Sequence, residues 1–153
     1  MDAITLLKDD HEKVKGIFEK LEPTTERAVK TREELFAKLK LELDVHAHIE
    51  ETIFYPVLKQ EAETRKITLE GYEEHHVVKM LLGELEAMPV SSEQWTAKLK
   101  VLQENVEHHV EEEETDMFKS AREVLEKSQL VELGAQMAAE KARMMPKTTT
   151  AQA

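Results

Sequence analysis

Residues 46–56 read HAHIEETIFYP and residues 109–119 read HVEEEETDMFK. Each stretch sets a histidine four places before a glutamate, His46 before Glu50 and His109 before Glu113. Residues four apart on an α-helix share a face, with roughly 5–6 Å between Cβ atoms, so an imidazole and a carboxylate at that spacing can reach one metal ion. A second pair of segments repeats at nearly the same offset. Asp10-His11-x-x-Val14-Lys15 returns as Glu74-His75-x-x-Val78-Lys79, 64 residues on, against 63 for the first pair. The chain reads as a duplicated helical hairpin with half of a metal site in each copy.

Outward from these stretches, apolar residues keep helical spacing. Ile4, Leu7, Val14, Phe18 and Leu21 fall into steps of three and four once His11 is inserted among them. That predicts a helix from Ala3 to Leu21, with Asp2 as its N-cap and His11 turned to the core. Pro23-Thr24-Thr25 breaks the chain and can cap the next helix. The second helix is predicted to begin between Glu26 and Thr31 and to end at Gln60, with Leu39, Leu43, His46, Glu50, Ile53 and Val57 on one stripe. Pro56 lacks an amide hydrogen and crowds the carbonyl of Thr52, so a bend is expected there.

A third helix is read over 69–87, capped by Thr68, with Tyr72, His75, Val78, Leu82 and Leu85 on its stripe. Ser91 with Gln94 is a capping-box pattern for a fourth, which lines up Leu99, Leu102, Val106, His109, Glu113 and Met117. A fifth stretch, 129–144, has Leu130, Leu133 and Met137 on one face and no counterpart in the repeat. The expected fold is all-α: an up-down-up-down four-helix bundle over residues 1–127, built from the duplicated hairpin. A short C-terminal helix over 128–145 packs on or beside it, and a disordered tail covers 146–153.

The 153 residues suit one domain with one substantial core. Charged residues make up 35% and Gly and Pro only four each, the profile of a helix-rich soluble protein. With no cysteine, thiolate zinc sites and iron–sulfur clusters are excluded, and any metal must be held by nitrogen and oxygen. The net charge of −11 argues against nucleic acid as a partner. No basic segment followed by an apolar stretch opens the chain, and no apolar run approaches the ~20 residues that span a bilayer. A cytoplasmic location and no membrane association are therefore expected.

A lone histidine on an apolar stripe is more often a satisfied core residue than a ligand. Here all four long helices carry one, and two add a glutamate a turn later. Burying six such groups without a partner would cost several kcal/mol per charge, on the order that a bound cation removes. The expected metal ligands are His11, His46, Glu50, His75, His109 and Glu113. His11 with His46 would serve one ion and His75 with His109 the other, with Glu50 and Glu113 bridging. Mixed imidazole and carboxylate donors favour iron or manganese. His48, two places from His46, is expected at the surface. Tyr72, His76, His108, Glu51 and Glu114 stand as additional candidates, either as a further ligand or as outer partners of the ligands. The run Glu111–Glu114 reads as a solvated face except for Glu113, which alone keeps register with His109.

These residues resemble the hemerythrin family, in its bacterial HHE cation-binding branch. The matching text is Asp10-His11-x-x-Val14, His46 to Pro56, Glu74-His75 and His109 to Phe118, over about residues 3 to 125. The resemblance implies a four-helix bundle around two non-haem iron ions with an oxo or hydroxo bridge. The expected small-molecule partner is dioxygen, peroxide or nitric oxide, and the expected state a monomer or weak homo-oligomer. Oxygen-carrying members have two histidines a turn apart on the third helix, whereas the positions a turn either side of His75 are Gly71 and Lys79. One iron then lacks a protein ligand or recruits water, Tyr72 or His76. A more open shell favours reaction with peroxide, dioxygen or nitric oxide, such as catalase-like turnover in oxidative or nitrosative stress. An oxygen or iron sensor without turnover, or an iron store, is the alternative. The catalytic residues and the physiological substrate are not named by the sequence.

Overall fold

The computed structural model describes residues 1–146, and among these every regular element is helical. In chain order they are α1 (Ala3–Leu21), α2 (Val29–Ile49), a π-helical turn π1 (Glu50–Phe54), α3 (Tyr55–Lys59) and α4 (Ala62–Glu86). Next come α5 (Glu93–Glu112), a second π turn π2 (Glu113–Met117), α6 (Phe118–Val124) and α7 (Lys127–Met144). Because the π turns continue their helices, α2–π1–α3 and α5–π2–α6 are each one long rod. Four rods, α1, α2–α3, α4 and α5–α6, form the expected bundle, and α7 lies against α1 and α2. The disordered tail expected over 146–153 falls, but for Pro146, outside the described residues. No helix among the described residues is long and apolar enough to cross a membrane.

Helix ends obey local chemistry, with three corrections. Asp2 caps α1 as expected, its Oδ1 accepting from the Thr5 amide at 2.8 Å. The fourth rod is capped by Ser92 rather than Ser91, its Oγ accepting from the Trp95 amide at 3.0 Å. Thr24 does not cap α2. It donates to the Leu21 carbonyl and accepts from Arg32 Nε at 3.0 Å, while α2 starts at Val29 without a side-chain cap. Thr68 is likewise no cap, since α4 begins seven residues before the predicted Leu69. Thr68 is buried mid-helix and returns its hydroxyl to the Thr64 carbonyl at 2.6 Å.

Close to Pro56 the rod departs from α-helical winding. The irregularity lies just before it, in π1, and recurs in π2, where Lys119 stands in place of the proline. Tyr55 N–H reaches back to the Glu50 carbonyl and Phe118 N–H to that of Glu113, one residue farther than in an α-helix. The extra residue rotates the remainder of each rod about its axis. Phe54 and Leu58 therefore take the fully buried places predicted for Ile53 and Val57, which are only partly buried.

The apolar interior is in two parts. One holds Ile4, Leu7, Phe54, Leu58, Phe118, Leu130 and Met137 among others. The other holds Phe18, Leu39, Leu82, Leu85, Trp95 and Leu102. Along every rod the site residues fall between these clusters, so the polar groups form a belt across the middle. At the end of the second cluster Arg32, 2% exposed, donates to the Thr24 and Val90 carbonyls and to the Thr24 and Thr96 hydroxyls. Its guanidinium lies 4.9 Å from the centre of the Trp95 ring. One cation thus ties together the two loops that close the hairpins.

α7 docks backbone to backbone on the start of α1. A Cβ added at Gly134 would lie 2.8 Å from the Ala3 nitrogen, whereas one at Gly16 would meet nothing within 4 Å. The same substitution should therefore have opposite signs at the two positions. Gly134→Ala should destabilise by about 1–3 kcal/mol through overpacking. Gly16→Ala, inside α1, should stabilise by about 0.5–1 kcal/mol. Thermal denaturation of the two variants checks both signs.

Candidate metal centre

All six residues expected as ligands converge in the belt, each no more than 6% exposed. His11 comes from α1, His46 and Glu50 from the second rod, His75 from α4, and His109 and Glu113 from the fourth. The four Nε2 atoms face inward. His11 Nε2 lies 3.0 Å from Glu113 Oε1, and His109 Nε2 lies 3.3 Å from Glu113 Oε2. Glu50 Oε1 sits between His46 Nε2 at 3.2 Å and His75 Nε2 at 3.0 Å. Each carboxylate therefore spans from one histidine pair to the other. The donor atoms form two sets, His11, His46 and Glu113 in one and Glu50, His75, His109 and Glu113 in the other, with all atoms of a set within 4.8 Å of one another.

Every Nδ1 points outward to a carboxylate. His11 donates to Glu114 at 2.7 Å, His75 to Glu51 at 2.7 Å, His46 to Asp10 at 3.0 Å, and His109 to Glu74. With the proton held at Nδ1, the Nε2 lone pair is left free for the centre. Glu51 and Glu114, the additional candidates, thus clamp histidines. Asp10 and Glu74, which the repeat displays beside His11 and His75, do the same for the other two.

The remaining candidates lie elsewhere. His76 is exposed. His108 is 65% exposed and pairs with Glu112 at 3.2 Å on the surface. Tyr72 donates to the Glu51 carbonyl at 3.3 Å, outside the two donor sets. His48 is half-buried rather than at the open surface, and it pairs with Glu140 of α7 at 2.7 Å. Of the glutamate run, Glu111 is exposed and Glu113 buried.

The tyrosine at the centre is Tyr55. Its hydroxyl donates to Glu113 Oε2 at 2.5 Å and lies 3.3 Å from Glu50 Oε1 and 3.4 Å from His75 Nε2. On an uninterrupted α-helix the fifth residue after Glu50 would point away, and π1 turns it back. The duplicate position is Phe118. Phe118 stacks on His11 as Tyr55 stacks on His75, at ring separations of 5.9 and 5.2 Å. Room for the hydroxyl comes from Gly71, where a Cβ would lie 2.9 Å from Tyr55 Oη. The repeat aligns Gly71 with Leu7, so Gly–Tyr on one side answers Leu–Phe on the other. The Tyr/Phe difference within the repeat was the signal available in the sequence.

Do these groups fit a cation? His46 Nε2, His109 Nε2 and Glu50 Oε2 are buried with no hydrogen-bond partner among the described residues. A buried polar atom left unmatched costs about 1–3 kcal/mol, and a cation between the donor sets would satisfy all three. Charge balance agrees. Burial opposes protonation of His46, but Glu50, Asp10 and Glu113 outweigh it and raise its pKa to about 10. His109 is likewise raised well above its ordinary value against burial, chiefly by Glu113. Burial opposes ionisation of Glu113, yet His109 and His11 hold it well below the usual carboxylate range. The carboxylates call for positive charge, and protons supply it when no metal does.

Beside the four histidines is a cavity of about 30 Å³ walled by Val14, Leu43, Val78, Leu82, Val106 and Val110. A surface groove between α1 and α5 shares His11, Val14, Val106 and Val110 with it.

The family model described as Hemerythrin HHE cation binding domain matches residues 2–121. A crystal structure of a hemerythrin HHE cation-binding domain-containing protein from Mycobacterium kansasii, an Rv2633c homolog, superposes with a TM-score of 0.83. It is 30% identical and covers 94% of this chain and 87% of its own. The uncharacterized protein Rv2633c of Mycobacterium tuberculosis is 33% identical over 143 residues, 91% of this chain and 84% of that protein. A protein of Nostoc sp. named DNA nickase is 25% identical over 147 residues, and the chain spans only 40% of its length.

Metal binding should displace protons. Raising the pH from 6 to 9 should tighten metal binding, and calorimetry in buffers of different ionisation enthalpy should detect the released protons. The metal-free protein should behave oppositely. His46 carries a folded pKa near 10 against 6.5 unfolded, so its stabilising contribution is complete below pH 6.5 and lost as pH rises toward 10. Melting temperatures of metal-free protein across that window check the sign.

Proposed function

The chain belongs to the hemerythrin HHE cation-binding domain family, and from that premise we propose that it holds two non-haem iron ions and uses them on a small molecule: peroxide, dioxygen or nitric oxide. The observation that carries this reading is the pair of donor sets sharing Glu113, with three buried donor atoms otherwise unmatched. His11 and His46 would hold one ion and His75 and His109 the other, with Glu50 and Glu113 between them. Tyr55, rather than Tyr72 or His76, would complete the surroundings of the second ion where Gly71 leaves no side chain. When bound, such a pair of ions supplies one-electron steps at each metal and a charge that attracts and polarises a small oxidant.

The residues set the terms of that chemistry. The outer carboxylates fix each imidazole by its Nδ1 proton, so the histidines need no reorganisation as a ligand arrives. The apolar wall excludes bulk water, and the cavity has the volume of one or two waters, which admits molecules of a few atoms and no larger substrate. The groove between α1 and α5, which shares four lining residues with the cavity, would be the route of access. Tyr55 can hold or release a proton at its Oη beside both bridging carboxylates. Burial and the carboxylates push its phenol well above 10 in the protein groups alone, so it stays a proton donor there. These features favour turnover of peroxide, a catalase-like role in oxidative or nitrosative stress, over a sensor or store. The net charge of −11 speaks against a DNA ligand.

Iron analysis and the optical spectrum of protein purified in air should show two ferric ions per chain; one ion, or zinc alone after iron-replete expression, overturns the assignment. Glu113→Gln should lose iron and peroxide turnover at unchanged helicity. Glu112→Gln, changing the same chemistry on the solvent side, should lose neither. Equal behaviour of the two would remove Glu113 from the centre.

Tyr55→Phe deletes only the hydroxyl and makes this half resemble its duplicate around Phe118. Both ions should be retained, with a changed absorption spectrum and a shifted pH profile of peroxide turnover. An unchanged spectrum and profile would assign Tyr55 to packing alone.

A further inference from the structure

The duplicated half-sites differ in what stands behind their outer carboxylates. Asp10 clamps His46 and Glu74 clamps His109. Glu74 is half-buried, its second oxygen 3.8 Å from the exposed His108. Asp10 is covered. Its side chain is 3% exposed, and while Oδ2 accepts from His46, Oδ1 accepts from Lys141 Nζ of α7. Lys141 is itself only 17% exposed. One residue earlier on α7, Glu140 receives His48 of α2 and is held by Arg143 at 2.7 Å. Two polar contacts from the helix that lacks a repeat partner, Lys141 on Asp10 and Glu140 on His48, thus lie either side of His46. Close docking of Gly134 on α1 keeps Lys141 in reach.

We propose that Lys141 is a positioning residue of the metal centre: through Asp10 it fixes the orientation of His46, so that the fifth helix holds one half of the site closed. The physical reason is directional. A buried carboxylate with one free oxygen can rotate, and its histidine turns with it. With a cation on Oδ1, Oδ2 is committed to the Nδ1 proton of His46. The half built on Glu74 has no lysine on its second oxygen, only the exposed His108 at 3.8 Å, so the two ions should leave at different rates. Although α7 carries no histidine and lies outside the repeat, it is then part of the metal unit. The inference rests on the two-ion reading above only for its metal readout.

The test uses the full chain. Iron-loaded protein is challenged with excess chelator, and release of each ion is timed. Lys141→Met should speed release of one ion by about tenfold, the scale of lost outer partners, and leave the other unchanged. Lys141→Arg should restore a rate close to that of the natural chain. Leu21→Ala, in the far apolar cluster, should lower the melting temperature without altering release. In metal-free protein the Nδ1–H resonance of His46 should exchange faster with water in Lys141→Met and stay as in the natural chain in Lys141→Arg. Release of both ions at the natural rates with the resonance unchanged overturns the proposal. So does equal acceleration by Leu21→Ala. If the natural chain holds a single ion, the two-ion reading fails, and Lys141 is still decided by that ion's release and by the resonance. Lys141→Gln repeats the test should the methionine variant not fold.

Discussion

Two carboxylates buried between four imidazoles set the terms for the rest of this molecule. Neither can be left in an apolar interior without positive charge, and among the described residues neither has a lysine or arginine beside it. Protons or metal must supply that charge, and three unmatched donor atoms point to metal. The constraint also divides the interior. The apolar clusters stop short of the belt at both ends, since further apolar packing there would strand the charges. Stability is therefore assigned to the ends, and the middle is reserved for binding.

Around the belt lies a ring of four further carboxylates, one for each histidine. This ring supplies direction rather than ligands. An imidazole free to spin offers either nitrogen, whereas one pinned at Nδ1 offers only Nε2, at a fixed angle. The ring accounts for part of the acidity of the chain. It also explains why Glu51 and Glu114 directly succeed Glu50 and Glu113. Adjacent residues on a helix point about 100° apart, so one faces the centre and the other reaches the neighbouring rod.

Periodicity and repetition made much of this legible. His11, His46, His75 and His109 fall on apolar stripes, and the spacing to Glu50 and Glu113 placed both glutamates inside. What escaped was whatever depended on a departure from α-helical phase or on contact between distant segments. Tyr55 was hidden because a π turn writes no distinct residue signature, and α-helical phase points it away. The shift from Ile53 and Val57 to Phe54 and Leu58 has the same origin. Arg32 reads as one more surface charge until two loops close on it. Asp10 and Glu74 stood in the repeat, yet their roles depend on which rods adjoin. Lys141 lies 131 residues from its partner, beyond any local pattern.

The four clamps are not shared evenly between the hairpins. Asp10 and Glu74 each hold a histidine of their own hairpin, whereas Glu51 and Glu114 reach across, to His75 and His11. A hairpin parted from its twin would keep one clamp of two and have no second set of donors to face. The molecule is in this sense a dimer made permanent by the short link between α3 and α4, its two subunits never diluted from one another. Fusion also released the halves from identity. A dimer of identical chains must place the same residue on both sides, but a fused one can set tyrosine against phenylalanine and glycine against leucine, and add a fifth helix to one side only.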